Sequence, residues 1–459
     1  MGLYAGIFLV TLSGLMFEIG LTRIFSATIW YHFAFVAISV ALLGWGLGGF
    51  ALHLLRGRVA FTRERAAWLT LVYGLSIPLA LWLIVRLPFH PDRLSSYFAI
   101  SLVPFFLAGT ALSMLFTIER QSAGRLYFAD LLGSSLGALL VTFLLSWLGG
   151  ENAVLAVALA PVLAAACFSV RLRLPDGLAA LAILAALAVN GQTGLFKIHS
   201  APTKGLYRQM AATPGAKIEL TGWNAYSRID AVTGFKDPYL ARLYIDSDAW
   251  TNVLAWDGRL ESTAPMRSWY RAIPFRVAPP SPKTLIIGPG GGSDVLVALA
   301  AGSEKVTAVE MNPLMLRFAR HFGARAGNLY DQPKVEAVLA EGRTFIRRSQ
   351  RRFDVILMGF VDSWAAVASG GLSLSENHLY TVEAFRAYYD HLTPDGEIAI
   401  LRWDVDIPRL VSNAVALLGP RAAGERVAVL LEAFESPRED PPQMIFMLKK
   451  RPFTPEEAA

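Results

Sequence analysis

Lys283–Asn312 reads KTLIIGPGGGSDVLVALAAGSEKVTAVEMN, and this stretch decides the fold of the C-terminal half. Thr284–Ile287 is a short, β-branched apolar run of the kind buried in a parallel sheet. The chain then turns through Gly288-Pro289-Gly290-Gly291-Gly292, and Ser293 and Asp294 are placed to cap a helix through Leu296, Val297, Leu299 and Ala300. A second strand, Lys305–Val309, ends on Glu310. Glycines without Cβ let backbone approach a ligand, and the following helix N-terminus favours polar or negative groups. An acid about 20 residues beyond such a loop, at the tip of the second strand, is positioned to hold two ribose hydroxyls. Strand, glycine loop, helix, strand and acid in that order predict an adenosine-type cofactor site at Gly288, Gly290, Gly291, Gly292 and Glu310. A loop of glycines alone implies only a tight turn.

Working outward, the alternation continues. Pro313–Phe322 is a predicted helix with Asn312 as its cap, and Lys334–Leu339 a strand ending near Glu341-Gly342-Arg343. Phe353–Met358 is a strand leading into a long loop with Gly359, Asp362, Trp364, Gly370 and Gly371. Val382–Leu392 is a helix, Pro394-Asp395-Gly396 a turn, and Glu397–Trp403 a strand. Val427–Leu431 and Met444–Leu448 follow, the latter as a closing antiparallel strand. Strands alternating with helices imply a mostly parallel, doubly wound α/β sheet, whose ligands sit beyond the carboxyl ends of the strands. That rule gathers the glycine loop, Glu310, Glu341 and Asp362 at one edge.

Upstream, Lys217–Phe235 and Ala241–Trp250 alternate as hairpin strands, giving a small β subdomain over 216–282. Asp246, Asp248, Trp250, Tyr226 and Arg228 fall where such a subdomain could close over a ligand, although each by itself suits a turn or surface. Residues 191–215 are polar and turn-rich and are expected to be a linker. The α/β domain is expected over 283–450, with 451–459 a tail.

The first 190 residues are different. The chain of 459 residues is 54% hydrophobic and only 17% charged, with net charge +6, and the apolar excess is concentrated here. An ordinary soluble chain carries about a quarter charged residues. Apolar runs near 3–25, 31–55, 66–87, 97–118, 127–148 and 152–170 have membrane length, and a shorter one lies near 177–189. Arg56, Arg58, Arg63 and Arg65, then Arg120 and Arg125, then Arg171 and Arg173 follow the second, fourth and sixth runs. The positive-inside rule makes that face cytoplasmic, and it accounts for the basic balance without a nucleic-acid partner. Six crossings return the chain to the cytoplasm, where adenosine cofactors are made, whereas seven place the C-terminal domain outside; the shortness of 177–189 favours six. Met1 is followed by no basic segment, so the first run reads as a retained span of a bacterial inner-membrane protein.

Glu18, Arg23 and Asp130 lie within these runs, where an unpaired charge costs several kcal/mol. They mark either a polar site or internal ion pairs. Tyr31 and His32 read as interfacial. Gly44, Gly46, Gly48, Gly49, Gly133 and Gly137 read as points of close helix packing. Cys167 is the single cysteine, so no intrachain disulfide forms, and no His, Cys and acid set has metal-ligand spacing.

With these residues placed, 216–450 resembles the spermidine synthase family, a branch of the Rossmann-like S-adenosylmethionine-dependent transferases. The motifs that carry the resemblance are TLIIGPGGG, KVTAVEMNP, VLAEGRTF, FDVILMGFVD and YTVEAFRAYYDHLTPDG. The N-terminal half is similar to membrane-integrated members, in which such a domain follows several spans. The resemblance implies that Glu310 takes the cofactor ribose, that Glu341 with Gly342 flanks the adenine, and that Gly288, Gly290 and Gly291 surround the tail. It also marks departures. Gly291 stands where the family's loop acid holds the cofactor amine, unless a one-residue shift brings in Asp294. Gly359 replaces the first acid of the catalytic Asp-x-x-Asp, and Asp362 matches the second. Tyr270-Arg271-Ala272 stands where the family has Tyr-His-Glu, and an arginine there repels a cationic substrate. The nucleoside half of the site is kept and the polyamine half is rewritten.

The expected function is therefore transfer from S-adenosylmethionine or its decarboxylated form to a small-molecule acceptor, without a metal. Methyl transfer competes with aminopropyl transfer. Asp362 is the first candidate for base or amine anchor. Asp246, Asp248, Trp250, Tyr270, Glu376 and Tyr380 are candidates for the acceptor. A transporter with a nucleoside-sensing soluble domain is the reading from a different class. The lipid bilayer is the expected partner, and a second copy of the chain is a further candidate.

Overall fold

A computed structural model describes residues 2–29, 34–87, 89–169, 171–199, 201–361, 378–432 and 442–458. The chain divides into two compact units: 1–212 with 221–229 and 245–248, and 213–220 with 230–244 and 249–459.

The first unit is helical. Its long helices are α1 (Gly2–Thr28), α2 (Ala34–Leu54), α3 (Arg63–Arg86), α4 (Leu94–Ile118) and α5 (Ala123–Leu148). The pair α6 (Gly150–Val157) and α7 (Leu159–Ser169) and then α8 (Leu174–Thr193) complete it. Among the described residues, 7 helical stretches are long and apolar enough to cross a membrane, the last being Leu174–Thr193 with 20 residues. The last of these is longer than the expected 177–189 run, because polar residues at both ends of that run belong to the helix, which starts at Leu174 directly after its cap Arg173. Glycines set the helix spacing. A Cβ on Gly133 would lie 2.3 Å from the Phe8 carbonyl oxygen, and one on Gly48 2.5 Å from the Thr110 nitrogen. Gly44 and Gly137 meet their neighbours as closely, so backbone approaches backbone. Gly46 faces open space instead. The expected linker contains a helix, α9 (Gly205–Ala212), because LYRQMAA is a good helix former.

A four-stranded sheet runs in chain order, β1 (Lys217–Trp223), β2 (Arg228–Thr233), β3 (Tyr239–Ile245) and β4 (Ala249–Leu254). Two 3₁₀ segments, Leu260–Ser268 and Tyr270–Arg276, lead to the main sheet.

That sheet contains β5 (Lys283–Ile287), β6 (Lys305–Glu310), β7 (Val335–Leu339), β8 (Phe353–Gly359), β9 (Leu392–Trp403), β10 (Val427–Leu431) and β11 (Gln443–Lys449). The order is β10-β11-β9-β8-β5-β6-β7, with β5 parallel to both β6 and β8, and β11 antiparallel to both β9 and β10. The helices α10 (Ser293–Ala300), α11 (Pro313–His321), α12 (Gly342–Arg348) and α13 (Val382–Asp390) connect the parallel strands. Leu285, Ile287, Ile356, Met358, Ile398, Ile400 and Phe446 form part of its core. Each such side chain contributes roughly 1.5–3 kcal/mol by leaving water. The expected turn at Pro394–Gly396 is absorbed into β9, where the register against β8 jumps from Phe353↔Leu392 to Val355↔Glu397. The supposed tail is held: Glu457 accepts from Lys449 Nζ at 2.6 Å and from Arg451.

Candidate functional site

Strands β5, β6 and β7 step one way across the sheet, and β8 lies on the other side of β5. The crevice beyond the carboxyl ends of β5 and β8 is thus the switch point, where open α/β sheets bind ligands. Gly288, Gly290 and Gly292 have φ of 68°, 53° and 99°, a left-handed run that other residues adopt with strain. The loop is braced from several directions. Gly291 N donates to Thr251 Oγ1 at 3.0 Å, Ser293 Oγ to the Asn252 carbonyl at 3.1 Å, and Tyr330 Oη to the Gly290 carbonyl at 2.6 Å. Sequence patterning carried no sign of Thr251, Asn252 or Tyr330 in this role, since each sits in an ordinary strand or turn. Gly292 rather than Ser293 or Asp294 occupies the cap of α10.

Glu310 closes β6 and is only 8% exposed. Its carboxylate accepts from Gly290 N at 3.3 Å and Asn312 N at 2.8 Å. Burial pushes this carboxyl above the usual carboxylate range, against backbone N–H groups that favour its ionised form. A carboxylate offers about four lone-pair sites, and the backbone donors leave part of that capacity for a diol. The residues fit a nucleoside in their polar groups. The space is tight: a Cβ on Gly288 would lie 2.5 Å from Val361 Cγ1, and one on Gly292 2.3 Å from Leu329 Cδ2. The cavity beside Gly291, Leu329 and Tyr330 measures about 10 Å³, room for about one water.

Glu341 caps α12, accepting from Arg343 N at 2.8 Å and from Thr344 N at 2.7 Å. Burial works to raise its carboxyl, but these bonds outweigh it and hold it below the usual range. Gly342 is buried, with Ile287 Cγ2 at 2.4 Å from where its Cβ would stand, so only glycine fits there. Asp294 is buried and accepts from Arg271 Nη1 at 2.6 Å.

The residues expected at the acceptor site are placed as follows. Asp246 and Ser247 form a left-handed turn with φ of 46° and 63°. Within the first unit Asp246 takes Ser26 Oγ at 2.6 Å, Arg228 N at 2.8 Å and Arg23 Nη2 at 3.1 Å. Asp248 accepts from Gly205 N at 3.0 Å. Asp tolerates the positive φ that a turn of this hand requires, and the two carboxylates tie the turn to distant segments of the first unit. Trp250 stands against Tyr244 and the Arg242 guanidinium. Tyr270 Oη donates to the Leu430 carbonyl at 2.6 Å, which ties it to β10, and burial pushes its hydroxyl up to about 12. Tyr380 is buried under the Arg402 guanidinium, and its carbonyl accepts from Asn413. Asp362, Trp364, Glu376, Tyr31 and His32 lie outside the described residues. Among the described residues no group of three His, Cys, Asp or Glu could hold a metal.

Residues 272–405 match the spermine/spermidine synthase domain. The C-terminal half is spermidine synthase-like. A polyamine aminopropyltransferase of Streptomyces coelicolor is 28% identical over 426 residues, covering 87% of this chain and 75% of that protein. A match of that length runs through the helical half as well. The polyamine aminopropyltransferase of Thermotoga maritima is 28% identical over 206 residues, covering 44% of this chain and 61% of its own length. The crystal structure of spermidine synthase from Thermotoga maritima is 20% identical, with a TM-score of 0.38 over 52% of this chain and 75% of that one. These relatives are named as polyamine aminopropyltransferases, that is, transferases.

Proposed function

We propose that this chain is a membrane-integrated transferase that binds an adenosine-type nucleoside at the β5–β8 crevice and moves an alkyl group from its sulfonium to a small-molecule acceptor. The observation that carries the reading is Glu310: a buried carboxylate at the tip of β6, with its ionised form favoured by backbone donors including Gly290 N of the glycine loop and Asn312 N. Such an acid has little structural reason to be there without a diol. Glu310 would hold the ribose, Gly290 and Gly291 would line the tail, and the sulfonium supplies the activated alkyl group. The protein's contribution is to orient that group in a dry crevice.

Polyamine is a poor acceptor for this site. Gly359 and Ala272 supply no carboxylate where the spermidine synthase resemblance expects acids, and Arg271 brings a cation instead. Methyl transfer from S-adenosylmethionine is accordingly favoured over aminopropyl transfer. The transport reading loses one of its supports, because Arg23 is committed to Asp246. Mass spectrometry of the ligand that copurifies with the full-length protein tests the proposal. An adenosine thioether or sulfonium supports it, and a protein that purifies empty and binds no adenosine ligand in calorimetry sinks it.

A further inference from the structure

Glycines end both strands that flank the switch point, Gly288 after β5 and Gly359 on β8, so neither strand places a side chain in the crevice. The groups that fill it come from elsewhere. Asp294 arrives from α10 and Arg271 from the 3₁₀ segment before the sheet, joined by the 2.6 Å bond. A Cβ on Gly359 would lie 2.2 Å from Asp294 Oδ2 and 3.1 Å from Arg271 Nη1, so the pair stands where a side chain at 359 would project. The two partners are not equivalent: the Asp294 side chain is 5% exposed and that of Arg271 31%. The acid is hidden and the cation is presented. Among the described residues Arg271 donates only through Nη1, which leaves Nε and Nη2 for a ligand, and its guanidinium lies 5.7 Å from the centre of the Phe360 ring.

The geometry points to Arg271 as the residue that selects the ligand's tail, by receiving a carboxylate. A planar guanidinium with two adjacent donors matches a carboxylate in both shape and charge. A nucleoside seated on Glu310 with its tail over Gly290 and Gly291 reaches the β8 side of the crevice with the tail's far end. An aminopropyl tail brings only an ammonium to that cation, whereas an amino-acid tail brings a carboxylate. The site is therefore one for intact S-adenosylmethionine rather than its decarboxylated form. This inference rests on the nucleoside reading of Glu310. A purely structural Arg271–Asp294 pair, by contrast, gives no preference between the two tails.

Calorimetry on the full-length protein in detergent, with S-adenosylmethionine, decarboxylated S-adenosylmethionine and tail-less 5′-methylthioadenosine, separates these cases. The expected result is S-adenosylmethionine binding about tenfold or more tightly than the decarboxylated form, the scale of one hydrogen bond between charged partners. A double variant, Arg271→Gln with Asp294→Asn, removes both charges without orphaning a buried carboxylate. It is expected to bring the two tailed ligands within about twofold of each other while leaving 5′-methylthioadenosine binding unchanged. Should that variant fail to fold, Arg271→Lys keeps the charge opposite Asp294 but loses the fork, and is expected to narrow the same ratio. Equal or tighter binding of the decarboxylated ligand by the unmodified protein overturns the inference, as does a preference that survives in the variant. Binding of 5′-methylthioadenosine in either case keeps the nucleoside reading intact, and failure to bind any of the three defeats that reading itself.

Discussion

Replacing Glu310 with Gln is the sharpest perturbation of the candidate site. The change keeps the side chain's shape but converts one acceptor oxygen into a donor and removes the charge. Both oxygens are in use, one by Gly290 N at 3.3 Å and one by Asn312 N at 2.8 Å. A diol bonded to the remaining lone pairs gains two hydrogen bonds to a charged acceptor, each contributing roughly 1.5–3 kcal/mol. Loss of the charge and of one acceptor is expected to cost about 2–4 kcal/mol, or about 30- to 1000-fold in affinity for 5′-methylthioadenosine. The fold should lose less, about 1–2 kcal/mol from one donor facing another, and thermal unfolding followed by tryptophan fluorescence checks that the variant is native. The pH dependence has a defined sign. Burial raises the folded-state value of this carboxyl, and the diol needs the ionised form, so affinity falls as pH drops through that raised value. The Gln variant should show a flat profile. A folded Glu310→Gln protein that binds within threefold of the unmodified one, with the same pH profile, would falsify the role given to this acid.

Gly359→Ala is expected to destabilise the second unit by about 1–3 kcal/mol, because its methyl group falls 2.2 Å from Asp294 Oδ2; unfolding midpoints in denaturant measure this, and an unchanged midpoint refutes the close approach. Glu397 is fully buried, neither of its oxygens has a hydrogen-bond partner among the described residues, and burial pushes its carboxyl well above the usual range. A carboxyl raised in the folded state contributes stability that is lost as pH rises, so the unfolding midpoint should fall as pH rises from the ordinary carboxylate value through the raised one, and Glu397→Gln should abolish that slope. Alkaline phosphatase fused after Ala459 in a bacterial host is expected to be active and a green fluorescent protein fusion dark, as seven crossings require; a fluorescent fusion means that α8 does not cross.

Much of the second unit was legible because its signals are local. β-branched runs, the glycine loop, and Asn312 as the cap of α11, accepting from Leu314 N at 3.0 Å, depend on neighbours in sequence. The contents of the site depend on long-range contacts and were not legible. Asp294 reads as a first-turn helix residue from sequence, yet Arg271, 23 positions away, draws it into the crevice. Asp246 and Asp248 read as ligand groups because isolated acids in a hairpin carry no label for their partners, and those partners are Arg23, Ser26 and Gly205. The length of α8 was misjudged because hydropathy stops at the last apolar residue, while a helix continues until a cap, here Gly194 with φ of 66°.

The helical unit bears on where the chemistry takes place. Arg56, Arg58, Arg63 and Arg65 lie at the α2–α3 connection, Arg120 and Arg125 at α4–α5, and Arg171 and Arg173 before α8, all at one end of the bundle. At the other end, where α1 finishes, Arg23 pairs with Asp246, and Lys204 Nζ donates to the Ser26 carbonyl at 2.8 Å and the Asp246 carbonyl at 3.0 Å. Trp223 closes on Gly150 at that same end, the start of α6. Polar residues that follow α8 in sequence thus return to the arginine-poor end, and no described helix after Thr193 is long and apolar enough to cross again. With the arginine-rich end cytoplasmic and all seven candidate helices crossing, the C-terminal end of α8 at Thr193 would lie on the opposite face.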